Sequence, residues 1–182
     1  MKIAQRIGVP LYYDEQEYRQ LVAFLEAHRG CFDELTLFTS FSAHGAIPLA
    51  HIRTQADVIR RRIADLKQRG FASVGLNVQV TLGHINEDYD TYGQPFQPIV
   101  GFQGDSALSC FCPESPEMKE YLKKKYTIFA ETDPDFLWLD DDIKFFWNGV
   151  KFGCFCPNCM QRFNKRMGTA HTRESLVAAM EA

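Results

Sequence analysis

Residues 115–142 read SPEMKEYLKKKYTIFAETDPDFLWLDDD, and the class of fold turns on this stretch. Ser115-Pro116 is a helix start: a capping hydroxyl, then proline at the first helical position, where an amide hydrogen is not needed. Met118, Leu122, Tyr126 and Phe129 recur at helical spacing and mark the inner face. Phe136-Leu137-Trp138-Leu139 then reads as a short, wholly apolar strand, the composition of a parallel strand covered on both faces. It runs straight into Asp140-Asp141-Asp142.

The same alternation extends outward. Ile7 to Tyr13 reads as a buried first strand, followed by a helix with Tyr18, Leu21, Val22 and Leu25 on one face. Leu35 to Thr39 is a second short strand. Thr54 reads as the N-cap of a second helix carrying Ile59, Ile63 and Leu66, which Gly70 stops. Val74 to Leu82 is a third strand. Beyond the acids, a helix is expected from about Pro157 to Met167 and a last amphipathic piece from Thr172.

Four βα units in a row predict a parallel sheet with right-handed crossovers. No Gly-x-Gly-x-x-Gly opens a helix, so a dinucleotide-binding sheet has no support. The long loops follow strands, as they do on the active face of a (β/α)8 TIM barrel. A complete barrel has roughly eight units in ~250 residues. The expectation for residues 1–182 is therefore a single α/β domain of TIM-barrel type holding about the first four units.

A formal net charge of -3 and the absence of a basic block argue against a general nucleic-acid partner. Lys123-Lys124-Lys125 reads as a solvated helix face. No stretch is apolar enough to span a bilayer and no leader peptide is visible, so a cytoplasmic location without membrane contact is the default expectation.

Five of the six cysteines cluster, in Cys110-x-Cys112 and Cys154-x-Cys156-x-x-Cys159, and Cys31 stands apart. Clustering without an export signal favours metal ligation over disulfides. The two groups lie in neighbouring βα loops, which can converge. Four thiolates around Zn²⁺ make a closed, structural site. Cys112, standing nearer the helix start than Cys110, joins Cys154, Cys156 and Cys159 as ligands. Buried thiols, a redox Cys-x-x-Cys at 156–159 and an iron–sulfur cluster are the alternatives. Lys151, Arg162, Lys165 and Arg166 near the knuckle leave a nucleic-acid module as a further, weaker one.

Asp140, Asp141 and Asp142 at a strand end repel one another, which raises at least one pKa or recruits a cation. Aromatic residues follow, Trp147 among them, and carboxylates beside aromatic side chains suit a carbohydrate subsite. Tyr13 after the first strand, Asn77 and Gln79 on one face of the third, and His84 beyond it are candidate substrate contacts. Trp138 reads as core, with stacking surface as its alternative. His44, His51 and His171 read as surface or loop residues.

Cys112-Pro113-x-Ser115-Pro116, a helix, an apolar strand ending in acids, and then Cys154-x-Cys156-x-x-Cys159 with Phe163 resemble the zinc-containing β-galactosidases of glycoside hydrolase family forty-two and related barrel glycosidases. The resemblance is specific from about Cys112 to Phe163 and general before it. It implies a retaining mechanism with two carboxyl groups, one following an asparagine at the end of strand four and one ending strand seven. Asp141 stands in the place of that asparagine and Asp142 in that of the acid/base glutamate. Aspartate is shorter, which puts the ~5–5.5 Å carboxylate separation of retention in question, and no seventh strand lies within these residues to supply a nucleophile. Two other classes stay open: a non-catalytic, zinc-stabilised carbohydrate-binding or interaction module that dimerises through exposed sheet edges, and a barrel hydrolase or isomerase whose metal sits on the acids and His84.

Overall fold

The computed structural model describes residues 2–39, 47–78, 96–139 and 150–182. They fall into two compact units. Residues 2–39, 47–78 and 123–139 form the first, and 96–122 with 150–182 the second.

The first unit is an α/β layer. Its elements are β1 (Ala4–Ile7), α1 (Val9–Tyr13), α2 (Glu15–Ala27), a 3₁₀ turn at Arg29–Cys31, β2 (Glu34–Phe38), α3 (Leu49–Gln68) and β3 (Val74–Val78). In the second unit β4 (Pro98–Val100) and β5 (Ser106–Phe111) precede α4 (Pro116–Ala130), whose last turns lead back to β6 (Leu137–Leu139) in the first. α5 (Pro157–Met167) and α6 (Arg173–Glu181) complete the second unit.

β1, β2, β3 and β6 make one sheet in that order, every pair parallel. Register places Ile7, Leu37, Leu76 and Leu137 in one row, and Phe38, Asn77 and Trp138 in a row of the opposite face. α2 buries Tyr18, Val22 and Leu25, and α3 buries Ile52, Ile59, Ile63 and Leu66, as their periodicity requires. Gly75 is where the Phe136 ring crosses the sheet: a Cβ there would stand 2.4 Å from that ring.

In the first unit the structure departs from the sequence reading in four places. The first strand ends at Ile7, and Val9–Tyr13 is a short helix with Pro10 in its first turn. Proline has no amide hydrogen for a ladder but suits a helix start, and a five-residue apolar run does not by itself distinguish the two. α3 begins five residues before Thr54, whose hydroxyl donates to the Ala50 carbonyl instead of capping. Leu137, Trp138 and Leu139 are 37%, 46% and 61% exposed, because β6 is an edge strand with β3 its partner among the described residues. Lys125, in the run read as solvated, is buried, and that burial lowers its pKa to about 8.

In the second unit β4 and β5 form an antiparallel hairpin absent from the sequence reading. Its turn is closed by Gly101 N–H donating to Asp105 O and Gly104 N–H to Gly101 O, with Gly104 at φ +92°. Ile99, Ala107, Cys110 and Val150 pack into one apolar cluster, and Phe96, Phe111 and Met118 into another. Gly168 ends α5 in the left-handed conformation, and Thr172 with Ser175 caps α6 reciprocally. No helix among the described residues is long and apolar enough to cross a membrane.

Candidate metal centre

Three pieces of backbone bring the cysteines together, all within the second unit. β5 delivers Cys112 just past its end, where the Cys112 N–H donates to Gln97 O at 2.8 Å. The segment before α5 is laid along β4: Phe155 N–H donates to Val100 O (2.8 Å) and Phe102 N–H to Phe152 O (2.9 Å). Gly153 permits this approach, since a Cβ there would stand 2.5 Å from Val100 O. Val100 N–H in turn donates to Cys154 Sγ at 3.3 Å, and Glu114 N–H to Cys112 Sγ at 3.3 Å. Cys156 is the N-cap of α5, with Pro157 next, and Cys159 lies in its first turn. The positive end of that helix favours thiolate over thiol.

The four sulfurs all lie within 4.8 Å of one another. Cys112 Sγ is 3.4 Å from Cys159 Sγ and 3.4 Å from Cys156 Sγ. A disulfide would need ~2.05 Å. Four thiolates at ~2.3 Å around one ion give a tetrahedron with edges of ~3.8 Å, so the quartet has the size of a mononuclear S₄ site. A four-iron cluster, which fills the space between its thiolates, needs a wider cage. Cys112 and Cys156 are buried, and Cys154 and Cys159 partly exposed. Cys110 faces the cluster of Ile99, Ala107 and Val150, as expected of the cysteine left out.

The quartet cannot hold four negative charges alone. Hydrogen bonding from Cys112 holds Cys156 well below the ordinary thiol range, with Cys154, Cys159 and the Cys159 backbone N–H adding to it. Cys154 is lowered too, first by Cys112. The remaining protons concentrate on the other two: Cys112 is pushed up by Cys154 and Cys156, and Cys159 by all three neighbours. A divalent cation would replace those protons, which is the chemistry of this donor set.

Comparison with protein-family models, curated proteins and solved structures gives no match to the chain. Assignment therefore rests on the residues.

Around the quartet, Glu114 accepts from both Lys119 (2.6 Å) and Arg162. A groove of about 600 Å³ runs beside Cys154 and Cys159, lined by Phe152, Phe155, Phe163 and Met180 with Arg162 and Arg166. It is an apolar surface more than a basic one.

Of the expected substrate contacts, Asp140, Asp141, Asp142, Gln79, His84 and Trp147 lie outside the described residues, as does His44. Asn77 is buried on β3, opposite Trp138 on β6, and its carbonyl accepts from Thr39 N–H. Tyr13 ends α1 and lines a cavity of about 420 Å³ with Thr39, His51 and Gln55. His51 is exposed on α3, and His171 is held by Asn164 and Ser175 between α5 and α6. Trp138, read as core, is largely exposed. Two residues carry more of this region than their sequence signal shows. Tyr12 Oη donates to Phe38 O (2.7 Å), and Gln55 Nε2 donates to Tyr12 Oη (3.1 Å) and Thr39 O (2.6 Å). A buried glutamine on the apolar face of an amphipathic helix was the available clue.

Proposed function

We propose that Cys112, Cys154, Cys156 and Cys159 hold one structural Zn²⁺, and that the chain is half of a (β/α)8 glycosidase-type barrel that binds carbohydrate at its strand ends. The convergence of the four sulfurs carries the metal reading. Zinc fits a closed, thiolate-only, redox-inert site whose neighbours offer no open position for substrate. The metal's contribution is to fold: it joins the end of β5 to the start of α5.

The barrel and carbohydrate reading is supported by the sequential parallel order β1-β2-β3-β6, which lacks the reversal of a doubly wound sheet. It is supported as well by the resemblance of residues 112–163. Under this reading Asp142, or Asp141, is the proton donor, Asp140, Asn77, Gln79, His84 and Tyr13 contact sugar hydroxyls, and Trp147 offers stacking surface. A retaining mechanism would pair that proton donor with a second carboxylate.

Two measurements test this. Elemental analysis should find one zinc per chain. A glycan-binding screen should find a carbohydrate ligand whose binding Asp142→Asn weakens. Failure to bind any glycan would contradict the carbohydrate part and leave the zinc part to its own measurement.

A further inference from the structure

The quartet also holds two thiols placed for a disulfide. Cys112 Sγ lies 3.4 Å from Cys159 Sγ, across 47 residues of chain. Closing that gap to the ~2.05 Å of a disulfide asks little of two side chains. The four sulfurs are not equivalent. Cys112 and Cys156 are buried, whereas Cys154 and Cys159 are half-buried and line the groove beside Phe163 and Met180. Among the described residues, backbone N–H groups donate to Cys112 (from Glu114), to Cys154 (from Val100) and to Cys156 (from Cys159). Such bonds draw negative charge off a thiolate and lower its nucleophilicity. Cys159 combines partial exposure with the sulfur least drawn down in this way, and Cys112 stands directly behind it.

We propose that Cys159 is an oxidation site, and that a hydroperoxide converts the metal knuckle reversibly into a Cys112–Cys159 disulfide with release of the zinc. This rests on the zinc reading above. The Cys159 thiolate attacks the distal oxygen of the hydroperoxide, the O–O bond breaks, and a sulfenic acid forms while alkoxide or hydroxide leaves. The Cys112 thiolate then attacks that sulfur, forming the S–S bond and expelling hydroxide. Two thiolates have lost two electrons to the peroxide, and the expelled oxygen anions take their protons from water. Cys154 and Cys156 then remain as half the ligand set, too few to hold the ion.

The pairing decides what oxidation does to the fold. Cys112 follows β5 and Cys159 lies in α5, so their bridge keeps the join that the metal made. A Cys156–Cys159 bridge would instead close a local loop at the start of α5 and leave the end of β5 free. A dithiol reverses the step: it reduces the bridge, is itself oxidised to a disulfide, and returns both thiolates to the metal.

The test takes the zinc-loaded chain carrying Cys31→Ser, which removes an exposed thiol outside the quartet. Hydrogen peroxide is added from about 10 μM to about 1 mM. A chromogenic chelator reads zinc release, and peptide mapping without reductant reads the bridge. Expected are one zinc freed per peroxide consumed, a Cys112–Cys159 peptide pair, and full zinc uptake again after dithiothreitol and added zinc. The oxidised chain should also melt above reduced chain stripped by chelator, because the bridge spans 47 residues. Zinc retained at about 1 mM peroxide, a bridge joining Cys156 to Cys159, or irreversible sulfinate at Cys159 would each overturn the proposal. A chain that takes up no zinc at the outset fails the metal reading instead, and the peptide map of that chain still decides the pairing.

Discussion

Gly153 shows how closely the knuckle is built. Its hydrogen stands where a Cβ would meet Val100 O at 2.5 Å, and both partners are backbone, so neither can rotate away. Gly153→Ala should therefore push the Cys154 segment off β4, costing about 1–3 kcal/mol in urea unfolding and loosening the metal. The cysteines divide by role. Cys159→Ser should lower zinc affinity by more than about 100-fold in chelator competition. Cys110→Ala should keep full zinc occupancy and cost about 1–2 kcal/mol through the small cavity left beside Ile99 and Val150. If Cys110→Ala strips the metal and Cys112→Ala does not, the assignment of those two residues is reversed.

At the level of elements, α1, the end of β2 and α3 are joined by one buried hydrogen-bond group. Tyr12→Phe would leave Phe38 O without that donor and Gln55 Nε2 with one acceptor fewer. Thermal and urea melts should register a loss of about 1–3 kcal/mol. The longer helices were legible because each repeats apolar residues at helical spacing over two or more turns, and Ser115-Pro116 and Gly70 mark two of their limits. Short segments were not. Val9–Tyr13 is equally apolar as strand or helix, and Pro10 decides between them only once the ladder is seen to stop at Ile7. The β4–β5 hairpin hid within a long loop, although Gly101 and Gly104 bracket its turn. The composition of β6 was read correctly, but composition cannot say whether a strand has one neighbour or two. The metal centre was more legible than the sheet, because thiols are rare and three ligands lie within six residues. The carbohydrate reading draws on strand-end residues and rests on chemistry and resemblance alone.

For the molecule as a whole, stability should depend on alkaline pH through Lys125. Burial lowers its folded pKa to about 8, against 10.5 for the free side chain. Between those values the unfolded chain binds the proton that the folded chain has released, so stability rises with pH across about 8 to 10.5. Below pH 8 the full penalty applies, on the order of 3 kcal/mol. Lys125→Met should stabilise the protein at pH 7 by up to that amount and flatten the slope between pH 8 and 10, as read from urea melts at several pH values. An unchanged slope would place the charge in water.

The cysteine quartet ties these scales together, since one ion would fix side chains, hairpin and helix at once. X-ray absorption at the zinc edge of the purified protein tests it most directly. Four sulfur neighbours at ~2.3 Å, with no nitrogen or oxygen in the first sphere, are the expected result. Fewer sulfurs, a mixed sphere, or a sample whose metal is iron would contradict a structural Zn(Cys)₄ centre at Cys112, Cys154, Cys156 and Cys159.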